Sequence, residues 1–499
     1  MTCEHTRSPL RILLVAGLLG AMGDALLHTT PWGLNVGLWA AAVGTASRMT
    51  SPASQKGTGP WLMAAWAFAA FMAWRASAFL NFWNFLAAVT CLTLVALQTH
   101  QVRLPAATIF RYLSGALDTA WSAAVGSLLL VFGDVKWDSA ARNPLTRSRP
   151  VLVGVALATP LVLVFGTLLT AADPVFANTV ASVFDWNFAS ITSHVFVGCG
   201  IAWLVAGYLR YLVFTHQSFA ASLPEPKSPA LGMVEIGIAL GTTTLIFTIF
   251  VTIQIQYLFG GEQLVQDSLG LSYAEYARRG FFETVTAAAL IVPVLLVADW
   301  MLDTSSHKNR QSFAALATVL LLLIAVVLLS ALKRMQLYVE VYGLTEDRLY
   351  ATAFLVWIAF VLAWLAITVL RGRYHRFAYG TVVSGLLVVA ALNILNPAAV
   401  IARTNLGRAQ SGHSLDVPHL AMLGADAAPT ILSRFPILTE ADRCTVAAVM
   451  AEQRWASQRA DWRTWNLARH RARRMLRDSE GVNHGCGDLQ TADRVTNGG

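Results

Sequence analysis

Four clusters of polar and aromatic side chains interrupt a chain that is otherwise apolar. The first holds Tyr273, Glu275, Tyr276, Arg278, Arg279 and Glu283. On a helix, Glu275 and Arg279 lie four residues apart, as do Arg279 and Glu283, and Glu before Arg is the favourable order. Such a ladder stabilises an exposed helix end by about 0.2–0.5 kcal/mol per pair, with the tyrosines anchoring it at a membrane–water interface. The functional reading of the same residues is a polar vestibule for a headgroup, sugar, peptide or partner. Arg278 and Arg279 would bind an anion there, held in place by Glu275 and Glu283.

The second cluster runs through Lys333, Arg334, Tyr338, Glu340, Tyr342, Glu346, Asp347 and Arg348. Glu346 and Asp347 follow Gly343-Leu344-Thr345, where a helix begins. Acids in a first turn complement the helix dipole, and Thr345 would be the cap. That leaves Glu340 as the better functional candidate of this loop. Asp173 and Asp185 bracket a third stretch without Lys or Arg, and Asp173 joins the candidate vestibule. Asn393, Asn396, Arg403 and Asn405 form the fourth.

Standard catalytic and nucleotide-binding motifs are missing: there is no GxxxxGK[ST], HExxH or GxSxG. Whether the chain is an enzyme stays open, with a non-enzyme favoured. Neither a cofactor nor a metal is expected. The five cysteines show no CxxC or Cys/His ligand spacing, and His413, His419 and His484 read as surface residues. Near the C-terminus, Asp461-Trp462-Arg463-Thr464-Trp465-Asn466 sets two Trp three residues apart. It reads as a helix docked by its aromatic face, or as a partner-binding patch anchored by Trp462, Arg463 and Trp465.

Composition dictates what must position these residues. The chain has 499 residues, 56% hydrophobic and 13% charged, whereas a soluble domain carries about 25% charged residues. The excess apolar surface must face lipid, which excludes a soluble enzyme, a disordered chain and a disulfide scaffold. The net charge of +8 comes from inner loops and an Arg-rich tail and does not point to nucleic acid. Apolar runs long enough to be spans cover 10–27, 31–46, 60–74, 79–98, 151–170, 194–214, 234–259, 281–300, 312–332, 349–370 and 377–395. The second and third are short.

Segment 111–133 is also apolar, but Arg111, Ser114, Asp118 and Ser122 form a polar stripe at helical spacing, which suits a helix lying in the interface. With the N-terminus inside, the stretch 98–149 is cytoplasmic. Inner loops then gather most Lys and Arg, with Lys136, Arg142, Arg147 and Arg149 in one loop alone, as cytoplasmic loops do. An odd number of crossings exports the tail. Its two cysteines, Cys444 and Cys486, could then pair in an oxidising compartment. Within the tail, 416–423, 427–435, 440–457 and 462–476 read as helices, with Thr439 capping one of them. The stretch 479–499 is expected to be disordered.

Several separated motifs carry a resemblance: NPLTRSRP (143–150), ADP (172–174), SYAEYARRGFFE (272–283), YVEVYGLTEDRLY (338–350), NPAAVIARTNL (396–406) and DWRTWNLARHRAR (461–473). The chain resembles bacterial multi-pass membrane proteins carrying domain of unknown function 4173, a relative of domain 4153. The resemblance implies an integral membrane protein and supplies no reaction.

The expectation is therefore an all-α polytopic bundle of about eleven spans over 1–395, with an extracytoplasmic helical tail over 396–478, in a bacterial plasma membrane. Its function would be non-enzymatic, as an accessory in envelope sensing or signalling. It would bind an envelope protein partner or a small amphiphilic ligand through its outer face. The alternative is a transporter or lipid-linked transferase with an outward-facing polar site.

Overall fold

The computed structural model describes residues 9–50, 57–135, 188–215, 229–259, 281–303, 306–457 and 461–480, with short pieces between 165 and 179 and between 223 and 226. Helices dominate throughout. In chain order they are α1 (Pro9–Leu27), α2 (Leu34–Thr50), α3 (Gly59–Trp74), α4 (Ala78–Thr99), α5 (Ile109–Leu129), α6 (Phe188–Phe214), α7 (Met233–Phe259), α8 (Phe281–Met301), α9 (His307–Tyr342), α10 (Glu346–Thr368) and α11 (Phe377–Leu395). The tail adds α12 (Pro397–Gln410), α13 (Val417–Met422), α14 (Ala428–Leu432), α15 (Glu440–Glu452), α16 (Arg454–Ser457) and α17 (Leu467–Glu480).

Among the described residues, nine helices are long and apolar enough to cross a membrane. Their apolar residues ring the whole helix rather than one stripe, which is the pattern of helices solvated by lipid. The difference from eleven has three sources. Segments 31–46 and 60–74 become α2 and α3, of 17 and 16 residues, each short of a full crossing. Most of 151–170 lies outside the described residues. The segment continuing α5 to Asp134 is counted among the nine. Helix α9, at 36 residues, is about 54 Å long at 1.5 Å per residue, so it extends beyond the hydrocarbon.

Helix α5 does not run alongside α6 for its whole length. Asp118 accepts a hydrogen bond from the Tyr211 hydroxyl (3.0 Å), and Asp134 accepts one from Arg210 Nε (2.6 Å). These acids are sixteen residues apart, about 24 Å of helix, yet adjacent residues of α6 hold both. A π-helical turn at Leu130–Asp134 redirects the chain between them.

The tail packs on one end of the bundle, around its own core of Ile401, Leu406, Leu420, Ile431, Val446, Met450 and Ala472. At that end lie the α1–α2, α3–α4, α9–α10 and α11–α12 turns, all of which touch tail residues. Thr439 caps α15, accepting from Asp442 N at 3.2 Å. All four tail helices differ from the bounds the sequence suggests, two of them for reasons visible in their hydrogen bonds. Gln453 is extended and its side chain donates to Ala421 O (2.7 Å), which splits 440–457. Asp461 accepts from Arg463 N (2.9 Å) and draws Trp462–Thr464 into a 3₁₀ turn ahead of α17.

Candidate functional site

The α3–α4 turn is the keystone of the seam between tail and bundle. It is tight, so the N–H groups of Ala76 and Ser77 at the start of α4 have no helical partner. The tail supplies one: both donate to Asp426 Oδ2, at 2.7 and 2.9 Å. Asn396, in a left-handed conformation at the α11–α12 junction, caps α12 and donates to Asp426 O (3.0 Å). Arg75 donates from Nε to Asn393 O (2.6 Å), with Nη1 3.8 Å from Asp426 Oδ1. Asn393 and Asn84 pair through their amides within the bundle, at 2.6 and 3.0 Å.

The start of α17 completes the seam. Asn466 donates to Met72 O and Arg75 O (3.0 and 2.9 Å) and caps the N–H of Arg469. Arg469 in turn donates to Trp32 O (2.9 Å) and Thr464 O (2.8 Å). Burial pushes the Asp426 carboxyl above its usual range, opposed by the Ala76 N–H and the Arg75 charge. Burial also lowers both guanidinium values, Arg469 to about 10.

Two cavities adjoin here. A chamber of about 760 Å³ lies under the tail, lined by Thr30, Ser77, Glu346, Asp426, Gln453, Trp455 and Arg469 among others. A slot of about 780 Å³ enters the bundle between α4, α8, α10 and α11, with a mostly apolar wall that includes Trp83, Leu86, Phe281, Phe354, Trp357 and Leu386. Phe79 and Glu346 line both. Tyr350, one helical turn beyond Glu346, lines the slot with its ring 4.4 Å from Phe79. His419 and Asp426 lie within electrostatic reach of Glu346.

Two buried polar atoms in this neighbourhood, Asp426 Oδ1 and His419 Nε2, have no hydrogen-bond partner among the described residues, although Arg75 Nη1 faces the first at 3.8 Å, and the Tyr350 hydroxyl sits against Ser77. Buried polar atoms are almost always paired, so their grouping marks a place where an outside partner would gain binding energy.

The expected site residues are distributed unevenly around these cavities. Glu275, Arg278 and Arg279 lie outside the described residues. Glu283 is exposed at the start of α8, next to Phe281 and Phe282, which line the slot. The Glu340 side chain is exposed and lines neither cavity; Arg408 holds its carbonyl (2.6 Å). Glu346 lines both cavities, and Thr345, expected to cap α10, makes no side-chain cap there. Arg348 is held over the Tyr338 ring at 4.0 Å, and Asn405 brackets Leu344 through its N–H and carbonyl, both at 2.8 Å. Asp173 caps its own local turn, accepting from Val175 N (2.7 Å).

Trp462 and Trp465 are exposed, by 62% and 39%. The polar contacts of this segment with the bundle run through backbone, Asn466 and Arg469. Arg463 pairs with Asp461 (2.7 Å) and donates to Ala25 O (2.8 Å). Cys444 is disulfide-bonded; Cys486 lies outside the described residues. Sequence reasoning passed over Asp426, Arg75, Arg469 and Tyr350, whose neighbours come from distant parts of the chain.

A separate cavity of about 400 Å³ flanks Pro293 between α7 and α8. It reaches neither Glu283 nor Glu340.

A family model described as Domain of unknown function (DUF4153) matches residues 62–433. No curated protein and no solved structure matches the chain.

Proposed function

The chain belongs to the DUF4153 family, and from the site just described we propose that it is a plasma-membrane receptor for an amphiphilic ligand. The apolar part of the ligand occupies the slot and its polar headgroup enters the chamber beneath the tail. The observation that carries this is the pair of adjoining cavities, one apolar and one polar, sharing Phe79 and Glu346. Ligand sites combine an apolar wall with a few placed polar groups, and here the two qualities are separated along one axis, as they are in a lipid. Carboxylate, amide and indole groups in the chamber suit a headgroup rich in hydroxyls.

The tail face is taken as the extracytoplasmic one, by the excess of Lys and Arg in the loops assigned to the opposite side and by the disulfide at Cys444. The Cys444–Cys486 pairing, the role in envelope sensing and the narrower likeness to domain 4173 belong to the same reading. Exposed Trp462 and Trp465, with half-buried Arg463 between them, would meet the headgroup layer or a partner protein. A lipid-linked transferase is the second reading, favoured by Glu346 at the boundary of the cavities, where a carboxylate could accept a proton from a headgroup hydroxyl.

Native mass spectrometry of the detergent-purified protein, with analysis of extracted lipid, tests the proposal. A defined lipid should co-purify, and Ala353→Trp, which fills the slot, should lose it without loss of fold. An unchanged lipid complement in that variant refutes the site. Reporter fusions after Arg373 and Glu480 should report inside and outside respectively; the reverse would turn the chamber to the cytoplasm.

A further inference from the structure

A second constellation lies away from the chamber, at the tail-side end of the α1–α6 pair. Small residues force these two helices together. A Cβ on Gly20 would stand 2.5 Å from Ala202 Cβ and 2.6 Å from Gly198 O, and one on Gly198 would stand 3.3 Å from Asp24 Cβ. Approach at that level brings three side chains into one cluster: Asp24, His28 one turn later on the same helix, and His194 of α6.

The geometry is specific. His194 Nδ1 lies 2.9 and 3.0 Å from the two oxygens of Asp24, and His28 Nδ1 lies 3.7 Å from Oδ1. The imidazole rings stack, with centroids 4.0 Å apart and planes inclined by 29°. One ligand atom from each of the three residues can be chosen so that all lie within 4.8 Å of one another. Both imidazoles therefore turn the same ring nitrogen toward a single carboxylate. Two imidazolium rings stacked this closely would repel each other.

A cation among the three resolves the arrangement. Tetrahedral zinc, with bonds of about 2.0–2.1 Å to His and carboxylate, needs ligand atoms about 3.3 Å apart. The separations of 2.9 to 3.7 Å between the Asp24 oxygens and the two Nδ1 atoms bracket that edge, and the stacked rings would splay for both nitrogens to face one ion. Two nitrogens and one oxygen suit zinc and its first-row neighbours, whereas magnesium and calcium prefer all-oxygen shells. The histidine side chains are 34% and 44% exposed, which leaves an approach for the ion and a fourth position for water.

We propose that Asp24, His28 and His194 form a binding site for a divalent transition cation of the zinc class. The ion would clamp α1 to α6 beneath the tail, next to the carbonyl of Ala25 that Arg463 holds (2.8 Å). No sequence pattern announces the site, because Asp24 and His194 are 170 residues apart. It stands independently of the amphiphile reading, since neither cavity is lined by these three residues.

The test uses the full chain in detergent, purified through a tag without histidine, stripped with chelator and titrated with zinc chloride by calorimetry. One saturable equivalent is expected in the wild type. His28→Gln, His194→Ala and Asp24→Asn should each weaken it by at least the roughly 10–100-fold that loss of an outer-shell partner costs, while His413→Ala in the tail should not. Cobalt should give a d–d absorption spectrum that the double variant His28→Gln/His194→Ala lacks. Zinc should raise the melting temperature of the wild type and not of the double variant, whose metal-free melting temperature serves as the folding control. No saturable binding in the wild type, or equal binding in the double variant, would overturn the assignment.

Discussion

Buried charge is handled in opposite ways at the two ends of the bundle. Away from the tail, Asp299 accepts from Arg310, whose other nitrogen donates to Val369 O, and Asp134 accepts from Arg210 at 2.6 Å. Under the tail, Asp426 uses one oxygen for two N–H donors and leaves the other without a hydrogen bond, facing Arg75 only at 3.8 Å, in a neighbourhood that also holds the unpartnered Nε2 of His419. The first end consists of closed pairs that clamp helices together. The second is anchored to the fold on one side and open toward a cavity on the other. A side chain that is firmly positioned and incompletely satisfied is prepared for a ligand.

The largest effect should come from the keystone. Asp426→Ala removes the acceptor for Ala76 and Ser77 and leaves Arg75 without its counter-charge, a change that costs about 3–5 kcal/mol when one member of a buried pair is lost. Thermal unfolding should shift accordingly, and trypsin should gain access to the arginines of α17. Asp426→Asn, which can still accept from both N–H groups, should recover part of the loss. A tail equally protected in Asp426→Ala would mean that Asp426 is not its anchor. At the other end, Asp299→Asn should cost about 1–3 kcal/mol while the retained lipid stays unchanged. Loss of lipid with intact stability in that variant would erase the contrast between the ends.

How much of this contrast was legible in the sequence follows from the range of the interactions involved. The apolar runs became helices because length and hydrophobicity act locally, and Thr439 capped α15 because its partner is three residues away. The interfacial reading of 111–133 rests on a polar stripe, but Asp118 of that stripe faces Tyr211 of α6, and the helix is long and apolar enough to cross a membrane. Glu346 was attributed to the helix dipole, since nothing nearby in sequence reveals a chamber formed with residues 423–426 and 453–455. Asp426 sits in a bland stretch, Gly424-Ala425-Asp426, and its partners are about 350 residues away. Arg75 likewise finds its partners, Asn393 and Asp426, far along the chain. Local chemistry marks ends and caps, whereas a site assembled at a seam needs the fold.

Acidity provides a smaller and more selective probe. Burial raises the Asp426 carboxyl above its ordinary value of 3.8, so between that value and the raised one the folded state holds more protons than the unfolded chain. Stability contributed by this group is therefore present at low pH and is lost as pH rises through that window. Melting temperatures of the wild type and Asp426→Asn, compared across the acid range, should diverge in that direction. Parallel curves would show that the carboxyl titrates as though exposed.

The smallest change in stability should accompany the sharpest change in binding. Tyr350 has a buried hydroxyl beside Ser77, while its ring packs on Phe79 at 4.4 Å. Tyr350→Phe keeps the ring and removes only the hydroxyl, so the ligand-free protein should change by about 1 kcal/mol or less. Were the hydroxyl a contact for the headgroup, the same variant would release the co-purified lipid more readily, seen as a lower bound fraction after repeated detergent exchange. Glu346→Gln should behave alike, since that carboxylate lines both cavities. The opposite pairing, a clear loss of stability with lipid retained, would place Tyr350 among the closed interactions and move the open end of the site away from the mouth of the slot.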